Sequence, residues 1–481
     1  MAVLAAANSE YPHSTEVRLA WAGLLLEHAD NARAEALLRS VLEDDRGHAA
    51  ASFLLARLLQ EQGRMRSLSQ VLRTLFRQPP HDPELVIRAI ELLDDAERKH
   101  DAAAICEAEI AAGSTDPRLH AYAGMLLSQL GQFTLSRQRR EFVIAHSTEA
   151  IEWQVPQGLA DLQRYTSHSH PDFDLFDACL RQPELSTQAR ASLLFALAKA
   201  HDDIGEYATA AACLRDANGL VQAATRWPRK QWRRSVEARL GRKAPCPLRR
   251  PAGDWRPLFI VGMPRSGTTV LAERLGRHQD VCHRGELSWL PTLAEQLAGG
   301  NGDAVLENAA RVYAAQLRQD DSEARWFIDK QPHNFMHVDL ILALFPEARI
   351  IYCQRQARDN ALSVWMQSFQ PRSQEFAYDL ADIAAVLHGS RRLMKHWISR
   401  YPDAIYSVHY EQLSADPASC LADLSAWLGL SRQDLLGNND GASAIGTASL
   451  WQARQPIHTR SIGRWRHYAG HIPELLQLPE S

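Results

Sequence analysis

The chemistry of this chain is most visible at residues 262–269, which read GMPRSGTT and follow the apolar run LFIV. A strand, a G-x-x-x-x-G loop and a helix together surround an anion with backbone N–H groups and the positive end of the helix. The hydroxyl groups of Ser266, Thr268 and Thr269 add donors at the start of that helix. The pattern therefore predicts a phosphate-binding loop.

This loop differs from that of nucleoside triphosphatases at the residue after Gly267. Thr268 stands where those proteins have the lysine that clamps the β- and γ-phosphates, and the positive charge lies earlier, at Arg265. No convincing acidic residue for magnesium ends a strand, since IIYCQR ends in Arg355 and Asp329 in FIDK is a weak choice. A triphosphatase or nucleotide kinase is therefore the least favoured interpretation.

A second group that can bind an anion lies in CQRQARDNALSVW. Arg355 leaves the end of a strand, and Ser363 lies eight residues further on, in the first turns of the next helix. Ligands of open α/β sheets bind in the crevice at the carboxyl ends of the strands. The alternative is that Arg355 and Arg358 only pair with Asp359 and nearby acids. Two anion sites in one domain require a ligand with two separated anionic groups.

The second half of the chain, residues 256–481, alternates between short apolar runs and helical segments. The strands are PLFIVG, RWFIDK, ARIIYCQR and AIYSVHY, and the helices include TTVLAERLGRH and MHVDLILALFP. Fully apolar strands separated by helices indicate a parallel sheet that is covered on both faces. We expect a three-layer α/β domain whose strand ends carry both groups described above.

The first half, residues 1–222, is rich in Ala and Leu and predicts helices throughout. Small residues and turn glycines recur with a 34-residue period: Ala22, Ala56 and Gly124 at one position, Gly63 and Gly131 at the other. This is the period of tetratricopeptide repeats, in which the small residue lets two helices approach and the glycine closes the turn. We therefore predict an α-solenoid, with four repeats over roughly residues 14–150.

Two parts of the first half depart from this period. The third repeat has Ile90 at the small position and Glu97 at the glycine position. The segment that contains SHSHPDFD is out of register and predicts an irregular helical pair. After it, Ala198 and Gly205 restore the spacing.

Residues 223–255 predict a basic linker between the two halves. This segment contains four prolines, and Glu237 and Asp254 are its only acids. Two interpretations stay open: a solvated helix followed by a linker, and a positive flank that attracts an acidic substrate.

The bulk composition restricts the class of protein. With 46% hydrophobic and 23% charged residues the chain is globular, and a net charge of -4 does not decide on a nucleic-acid partner; we predict neither a nucleic-acid nor a membrane partner. The seven cysteines form no C-x-x-C pair and predict reduced thiols rather than a zinc site. No apolar run reaches the roughly 18 residues that span a bilayer, and the start MAVLAAANSEYP does not resemble a signal peptide. We expect a cytoplasmic protein.

Three motifs in order carry a family resemblance. PRSGTT after a strand, RxxRDxxLS after a later strand and the C-terminal QPIHTRSIGRWRHY resemble the sulfotransferases that use 3'-phosphoadenosine 5'-phosphosulfate. With the repeats in front, the whole chain resembles the prokaryotic-type tetratricopeptide-repeat sulfotransferases, whose catalytic domain is related to tyrosylprotein sulfotransferases. The resemblance implies a phosphate-loop-type α/β fold, and its donor carries the two separated anionic groups.

The resemblance also implies the residues that bind the donor. The 5'-phosphosulfate would be held by Arg265, Ser266, Gly267, Thr268 and Thr269, and the 3'-phosphate by Arg355 and Ser363. Arg464 in SIGRW matches a basic position that reaches the nucleotide, and Ser449 in TAS is a weaker match. Tyr410 in HYEQL matches a position near the adenine, with a core strand tyrosine as the alternative.

Sulfuryl transfer needs a base, a cation over the transferring group and stabilisation of the leaving phosphate. Glu286 in HRGELSWLP matches the family's catalytic glutamate, and Lys330 in DKQPHNF matches a lysine that faces the bridging oxygen; Arg265 is predicted to act with them. Leu287 stands where eukaryotic relatives have a second acid, and His333 stays open as the base because other sulfotransferase branches use histidine. The structural alternatives are a helix N-terminal acid for Glu286 and a surface salt bridge for Lys330. No motif requires a metal.

The sequence therefore predicts a sulfotransferase that acts on a hydroxyl group. The preferred acceptor is a tyrosine of a protein or peptide, because of the resemblance and because a solenoid offers a concave surface to an extended peptide. Carbohydrate, lipid and small natural-product acceptors stay open. The competing hypothesis is a scaffold protein with an inactive nucleotide-binding domain. Five residues retained together argue against it: Arg265, Glu286, Lys330, Arg355 and Ser363.

Overall fold

The computed structural model describes residues 2–242, 247–248, 253–297, 302–369, 374–431, 433, 435–436 and 457–479. The chain packs as two compact units. The first contains Met1–Leu126 and Arg311–Ser322, and the second contains Leu127–Ala310 and Glu323–Ser481. These units group residues by packing, whereas the boundaries at residues 222 and 256 divide the chain by sequence pattern and remain a prediction.

Helices fill the chain up to residue 240. Those of the first three repeats and the segment before them are α1 (Ala2–Glu10), α2 (Thr15–Glu27), α3 (Asn31–Asp44), α4 (Ala49–Glu61), α5 (Met65–Leu75), α6 (Pro83–Asp95) and α7 (Lys99–Ala111). They are followed by α8 (Pro117–Gln129), α9 (Phe133–His146), α10 (Val155–Ala160), α11 (Pro171–Leu180), α12 (Thr187–Asp203), α13 (Tyr207–Ala224) and α14 (Arg229–Leu240). The predicted small positions Ala22 and Ala56 are fully buried, and so is Ile90 in the third repeat.

The turn between the two helices of a repeat has the same backbone each time. The residue at the glycine position is left-handed in five turns, with φ 59° at Ala29, 71° at Gly63, 57° at Glu97, 79° at Gly131 and 84° at Gly205. In each turn the next amide donates to the carbonyl five residues earlier, at 2.7–2.9 Å. The third repeat therefore keeps the repeat geometry although it lacks the glycine.

A five-stranded sheet forms the centre of the second unit. Its strands are β1 (Arg256–Gly262), β2 (Val281–His283), β3 (Trp326–Asp329), β4 (Arg349–Gln354) and β5 (Ile405–His409), in the order β2-β3-β1-β4-β5. All four pairings are parallel, for example Leu258 opposite Arg349 between β1 and β4. This confirms the predicted fold class, an α-helical repeat region followed by a parallel α/β domain. The edge strand β2 was not predicted.

Helices cover both faces of the sheet. The helices of the second half of the chain are α15 (Thr268–Leu275), α16 (Trp289–Gln296), α17 (Asp303–Arg318), α18 (Val338–Leu344), α19 (Ala357–Trp365), α20 (Leu380–Arg400), α21 (Tyr410–Ala415), α22 (Pro417–Leu428) and α23 (Trp465–Tyr468), and α17 is divided between the two units. On one face Ile260 of β1 packs with Leu271 of α15 and Leu424 of α22. Side chains of this kind, fully removed from water, supply most of the folding free energy of such a layer.

The other layer has a core that extends beyond the helices around the sheet. Buried residues of α12 and α13, among them Phe195 and Leu214, share one hydrophobic cluster with Leu362 of α19, Val386 of α20 and Tyr468 of α23. The last helical pair of the repeat region therefore packs as part of the α/β layer.

Part of the predicted linker is an ordered helix. Helix α14 lies against α20, where Trp232 Nε1 donates to the Ala385 carbonyl oxygen at 3.1 Å and Arg229 pairs with Asp382. This agrees with the helical interpretation of the basic segment, and residues 243–246 and 249–252 lie outside the described residues.

Two further expectations concern the chain as a whole. Six cysteines fall in the part of the chain that the structure describes, and all six are free thiols. Among the helices described above, none is both long and apolar enough to cross a membrane.

Candidate active site

The phosphate loop follows β1 and needs glycine at both ends of its frame. A Cβ on Gly262 would overlap with the carbonyl oxygen of Cys353 in β4. Gly267 precedes α15 with φ 94°, and a Cβ there would lie 2.7 Å from the ring of Tyr410. Arg265 is also left-handed, with φ 66°. The loop therefore bends twice before α15 begins at Thr268.

Hydrogen bonds from two elements hold this loop. Ser266 Oγ donates to the Met263 carbonyl oxygen at 2.8 Å, and Asn360 Nδ2 of α19 donates to that of Pro264 at 2.9 Å. Thr268 and Thr269 lie buried in the first turn of α15. In this structure the hydroxyl group of Ser266 therefore stabilises the loop itself.

The two predicted anion-binding groups touch each other. Arg265 Nε donates to Ser363 Oγ at 3.2 Å. Arg355 donates to the Arg265 carbonyl oxygen at 2.9 Å and to the Ser461 carbonyl oxygen at 2.8 Å. The loop after β1 and the helix after β4 thus form one continuous group at the carboxyl ends of neighbouring strands.

Positive charge accumulates in this group. Burial chiefly, and then the charges of Arg355 and Arg464, lower the pKa of Arg265 to about 10. Burial also lowers the pKa of Arg355, whose Nε is buried without a hydrogen-bond partner among the described residues. Neighbouring guanidinium groups repel each other, and a polyanion between them would relieve that repulsion.

Tyr410 stands beside this group. It is the first residue of α21, directly after β5, and it is only partly buried. The guanidinium carbon of Arg355 lies 4.6 Å from the centre of its ring, and Gly267 faces the ring's edge. The alternative of a core strand tyrosine is therefore wrong.

A C-terminal segment, residues 461–468, lies over the same region. Both oxygens of Asp359 accept backbone amides of this segment, from Gly463 at 2.6 Å and from Trp465 at 2.9 Å. Arg358 donates to the Leu478 carbonyl oxygen at 3.0 Å, and Arg355 donates to two other backbone carbonyl oxygens. The alternative in which these two arginines only pair with Asp359 and nearby acids is therefore wrong.

Arg464 in this segment is anchored by the repeat region. It forms an ion pair with Asp202 of α12, which also accepts the hydroxyl of Tyr468 at 2.5 Å. Burial alone would lower the pKa of Arg464, but the Asp202 carboxylate outweighs it and the pKa rises. Arg464 therefore stays charged next to Arg265 and Arg355.

The predicted catalytic pair lies at the ends of β2 and β3. Lys330 Nζ contacts Glu286 Oε1. The side chain of Lys330 is 1% exposed and that of Glu286 is 37% exposed, so the carboxylate faces the open side. The interpretation of Lys330 as a surface salt bridge is wrong, because its ammonium group is buried.

Asp329 fixes the chain on both sides of this pair. Its side chain is fully buried, and its oxygens accept the Leu287 amide at 3.2 Å and Asn334 Nδ2 at 2.8 Å. The residue considered as a weak magnesium ligand therefore has a positioning role within the fold.

His333, the alternative base, belongs to the same region. Its Nε2 lies 2.8 Å from Gln374 Oε1. Burial lowers the pKa of His333, against the opposing effects of Gln374 and the Glu286 carboxylate. A neutral imidazole near Glu286 can accept a proton, so the geometry keeps both bases available.

Comparison with known proteins decides the family of this region. A family model described as "Sulfotransferase family" matches residues 257–434, and one described as "Tetratricopeptide repeat" matches residues 25–85. The chain carries a sulfotransferase-family domain behind tetratricopeptide repeats.

Individual relatives of the chain are distant in sequence. An uncharacterized protein of Aquifex aeolicus is 28% identical over 391 residues, 75% of this chain and 51% of that protein. Protein-tyrosine sulfotransferase 1 of Danio rerio is 25% identical over 242 residues, 45% of this chain and 66% of that protein. The chain thus spans about half of the length of the first relative and about two thirds of the length of the second. Among solved structures, the sulfotransferase domain of the Synechococcus PCC 7002 olefin synthase is 21% identical, covers 48% of this chain and 96% of that one, and has a TM-score of 0.36.

Motif matching missed two functional candidates, which lie in the helical region that precedes the sheet. Asp161, which follows α10, interacts electrostatically with Lys199, Arg140 and Arg265. No sequence motif identifies Asp161 or Asp202 as site residues, because both lie in the helical region, far along the chain from the arginines of the site with which they interact. Ser449 lies outside the described residues.

Proposed function

We propose that this chain transfers a sulfuryl group from 3'-phosphoadenosine 5'-phosphosulfate to a hydroxyl acceptor, with a tyrosine of a protein or peptide as the preferred acceptor. The observation that carries the proposal is the contact of Arg265 with Ser363 and Arg355 at the carboxyl ends of β1 and β4. The Glu286–Lys330 pair lies at the same edge of the same sheet.

The donor would occupy the positively charged group. Its 5'-phosphosulfate would lie against the loop and the first turn of α15, and its 3'-phosphate against Arg355 and Ser363. Arg265 connects the two positions, since its side chain reaches Ser363 and its carbonyl oxygen holds Arg355. The buried Arg355 Nε supplies a donor that the described residues leave unused. Tyr410 offers an aromatic face to the adenine.

The reaction then needs one proton transfer and one bond exchange at sulfur. The acceptor oxygen attacks the sulfur, the bond from sulfur to the 5'-phosphate oxygen breaks, and Glu286 takes the acceptor's proton. Lys330 neutralises the charge that develops on the departing oxygen, which remains on 3'-phosphoadenosine 5'-phosphate. The buried ammonium of Lys330 suits this role, because charge stabilisation is stronger where water is excluded.

The acceptor preference rests on one group of relatives and on the repeats. Tyrosine is favoured by the likeness to the protein-tyrosine sulfotransferase of Danio rerio over 45% of this chain. The repeats offer a surface for a peptide or a protein partner. Carbohydrates and small molecules are the other acceptors to test, and a cytoplasmic location remains part of the proposal.

The test uses the full chain with a radiolabelled donor and panels of peptides and metabolites. Mass spectrometry then identifies any product that has gained one SO₃ unit. We expect Glu286→Ala to reduce kcat by about 10²–10⁴-fold with the Kd for 3'-phosphoadenosine 5'-phosphate unchanged. His333→Ala, the matched variant, should retain most of the wild-type kcat.

Two outcomes contradict the proposal. Near-full turnover in Glu286→Ala, with normal nucleotide binding by Arg355→Ala, removes both assignments. If calorimetry detects no binding of 3'-phosphoadenosine 5'-phosphate at micromolar concentration, the chain is better explained as a scaffold protein with an inactive domain.

A further inference from the structure

A cluster of metal-ligating side chains lies outside the proposed donor site. His168 belongs to the irregular segment between α10 and α11, His201 to the last turn of α12, and Glu206 directly precedes α13. One ligand atom from each residue lies within 4.8 Å of the others. We propose that His168, His201 and Glu206 bind a divalent zinc ion, independently of the proposed transferase reaction.

The carboxylate of Glu206 connects the two imidazoles. One oxygen lies 2.7 Å from His201 Nδ1, and the other lies 3.5 Å from His168 Nδ1. Zinc binds such nitrogen and oxygen ligands at about 2.0–2.2 Å in a tetrahedral arrangement, which places the ligand atoms roughly 3.3–3.5 Å apart. The three ligand atoms lie within 4.8 Å of one another, so small side-chain movements would bring them to the spacing that one ion requires.

The backbone fixes two of the ligands relative to each other. Glu206 follows the left-handed Gly205 at the turn between α12 and α13, and its amide donates to the His201 carbonyl oxygen at 2.9 Å. This is the turn geometry that recurs in the repeats, and here it holds an imidazole and a carboxylate side by side.

A single aromatic ring orients both histidines. Phe173 of α11 stacks on His168 with ring centres 4.5 Å apart and planes at 18°, and it meets His201 edge-on at 5.2 Å and 73°. Side chains that are already held in place lose less conformational entropy when they bind a ligand. The cluster is therefore organised before any ion arrives.

The ligand types select the metal. Two imidazole nitrogens and one carboxylate suit Zn²⁺ and its neighbours in the transition series, whereas Mg²⁺ and Ca²⁺ prefer oxygen ligands. The side chains of His168 and Glu206 are 60% and 43% exposed, which gives an ion access and leaves a coordination position for water.

Zinc at this position would tie the irregular segment to the α12–α13 turn. The same segment is held by α12, through Tyr165 N donating to Asp203 at 3.0 Å and Lys199 donating to the Gln163 carbonyl oxygen. It begins at Asp161, which lies near Arg265. We therefore expect the ion to stabilise the helical wall next to the donor site, as any ligand of the folded state does.

The experiment titrates the metal-free full chain with zinc chloride, in competition with a chromophoric chelator. We expect one ion per chain, and we expect His168→Ala and Glu206→Gln each to raise the Kd by at least about tenfold, because a three-ligand site loses one donor. Both positions are exposed, so the variants should fold, and circular dichroism checks this. His100→Ala on the exposed surface of α7 is the matched control and should bind as the wild type does.

A second readout reports on coordination geometry. Cobalt(II) in place of zinc should give the visible absorption of a nitrogen–oxygen site in the wild type and in His100→Ala, and lose it in His168→Ala. The three residues could instead form only an ion pair between protonated imidazole and carboxylate. Two results would overturn the proposal and favour the ion pair. One is the absence of stoichiometric zinc binding at micromolar concentration, and the other is an equal Kd for zinc in the wild type and in His168→Ala.

Discussion

Arg265 Nε donates to Ser363 Oγ across 3.2 Å, and this contact joins the loop after β1 to the helix after β4. The carbonyl oxygen of the same arginine accepts from Arg355. Arg265 of the phosphate loop therefore contacts both residues of the second anion-binding group, Arg355 and Ser363. If a single donor molecule binds to the loop and to this second group, a substitution in one of them should change the contribution of the other to donor binding.

This coupling can be measured by a double-mutant cycle. Arg265→Ala should weaken the binding of 3'-phosphoadenosine 5'-phosphate by about 10- to 100-fold, because it removes a charged hydrogen bond. Ser363→Ala should weaken it less, and the double variant should lose less than the sum of the two. Calorimetry gives the three Kd values. Strict additivity would mean that the two side chains act on the donor separately.

The glycine that begins α15 should be intolerant of any side chain. Gly267→Ala places a Cβ 2.7 Å from the Tyr410 ring at φ 94°, so we expect nucleotide binding to be lost. Gly113→Ala is the matched control, because φ is 100° there but no atom lies within 4 Å of the added Cβ. The control should cost only about 1 kcal/mol in the free energy of unfolding. Equal nucleotide binding by the two variants would contradict the role of Gly267.

The ion pair between Arg464 and Asp202 should contribute to stability and to donor binding. Asp202→Asn leaves a mostly buried guanidinium without its carboxylate, so the free energy of unfolding should fall by about 1.5–3 kcal/mol, and the donor Kd should rise because Arg464 is displaced. Glu474→Gln removes an exposed partner of Arg215 and should change stability by less than about 1 kcal/mol. Urea unfolding compares the two variants. A similar small effect of both would show that Asp202 does not anchor the segment.

Stability should fall in mild acid because of His283. Burial, with help from Lys330 and Arg284, lowers the pKa of His283 to about 3. Below about pH 6.5 the unfolded chain therefore binds a proton that the folded chain refuses, and stability is lost as the pH falls from there towards 3. His283→Gln should reduce the slope of unfolding free energy against pH by up to about 1.4 kcal/mol per pH unit in this window. The exposed control His100→Gln should leave the slope unchanged, and an unchanged slope in His283→Gln would contradict the buried neutral state.

Local backbone requirements explain which parts of the site are visible in the sequence. The G-x-x-x-x-G motif can be recognised in the sequence because a side chain at Gly262 or Gly267 would collide with a neighbouring residue, so both positions require glycine. Arg355 and Ser363 can be recognised because they follow a strongly apolar strand. The role of Asp359 could not be predicted in this way. Its charge suggested an arginine partner, whereas its carboxylate accepts hydrogen bonds from two backbone amides.

Contacts between distant segments explain what the sequence does not reveal. Asp202 and Arg464 are 262 residues apart, and no periodicity relates them. The strand β2 has only three residues, too few for an alternation pattern. In the repeats, Ala29 and Glu97 adopt the left-handed turn without a glycine, because the surrounding helices impose the conformation that glycine would otherwise signal.

The hydrophobic cluster that α12 and α13 share with α19, α20 and α23 limits how this chain can be divided. A recombinant fragment that starts at Arg256 would keep the phosphate loop but expose Trp365 and Tyr468 to water, and it would lose the carboxylate of Asp202. Such a fragment should aggregate, whereas one that starts before α12 retains the complete layer. The same constraint applies to gene fusion during evolution: this helical pair must be inherited with the sheet.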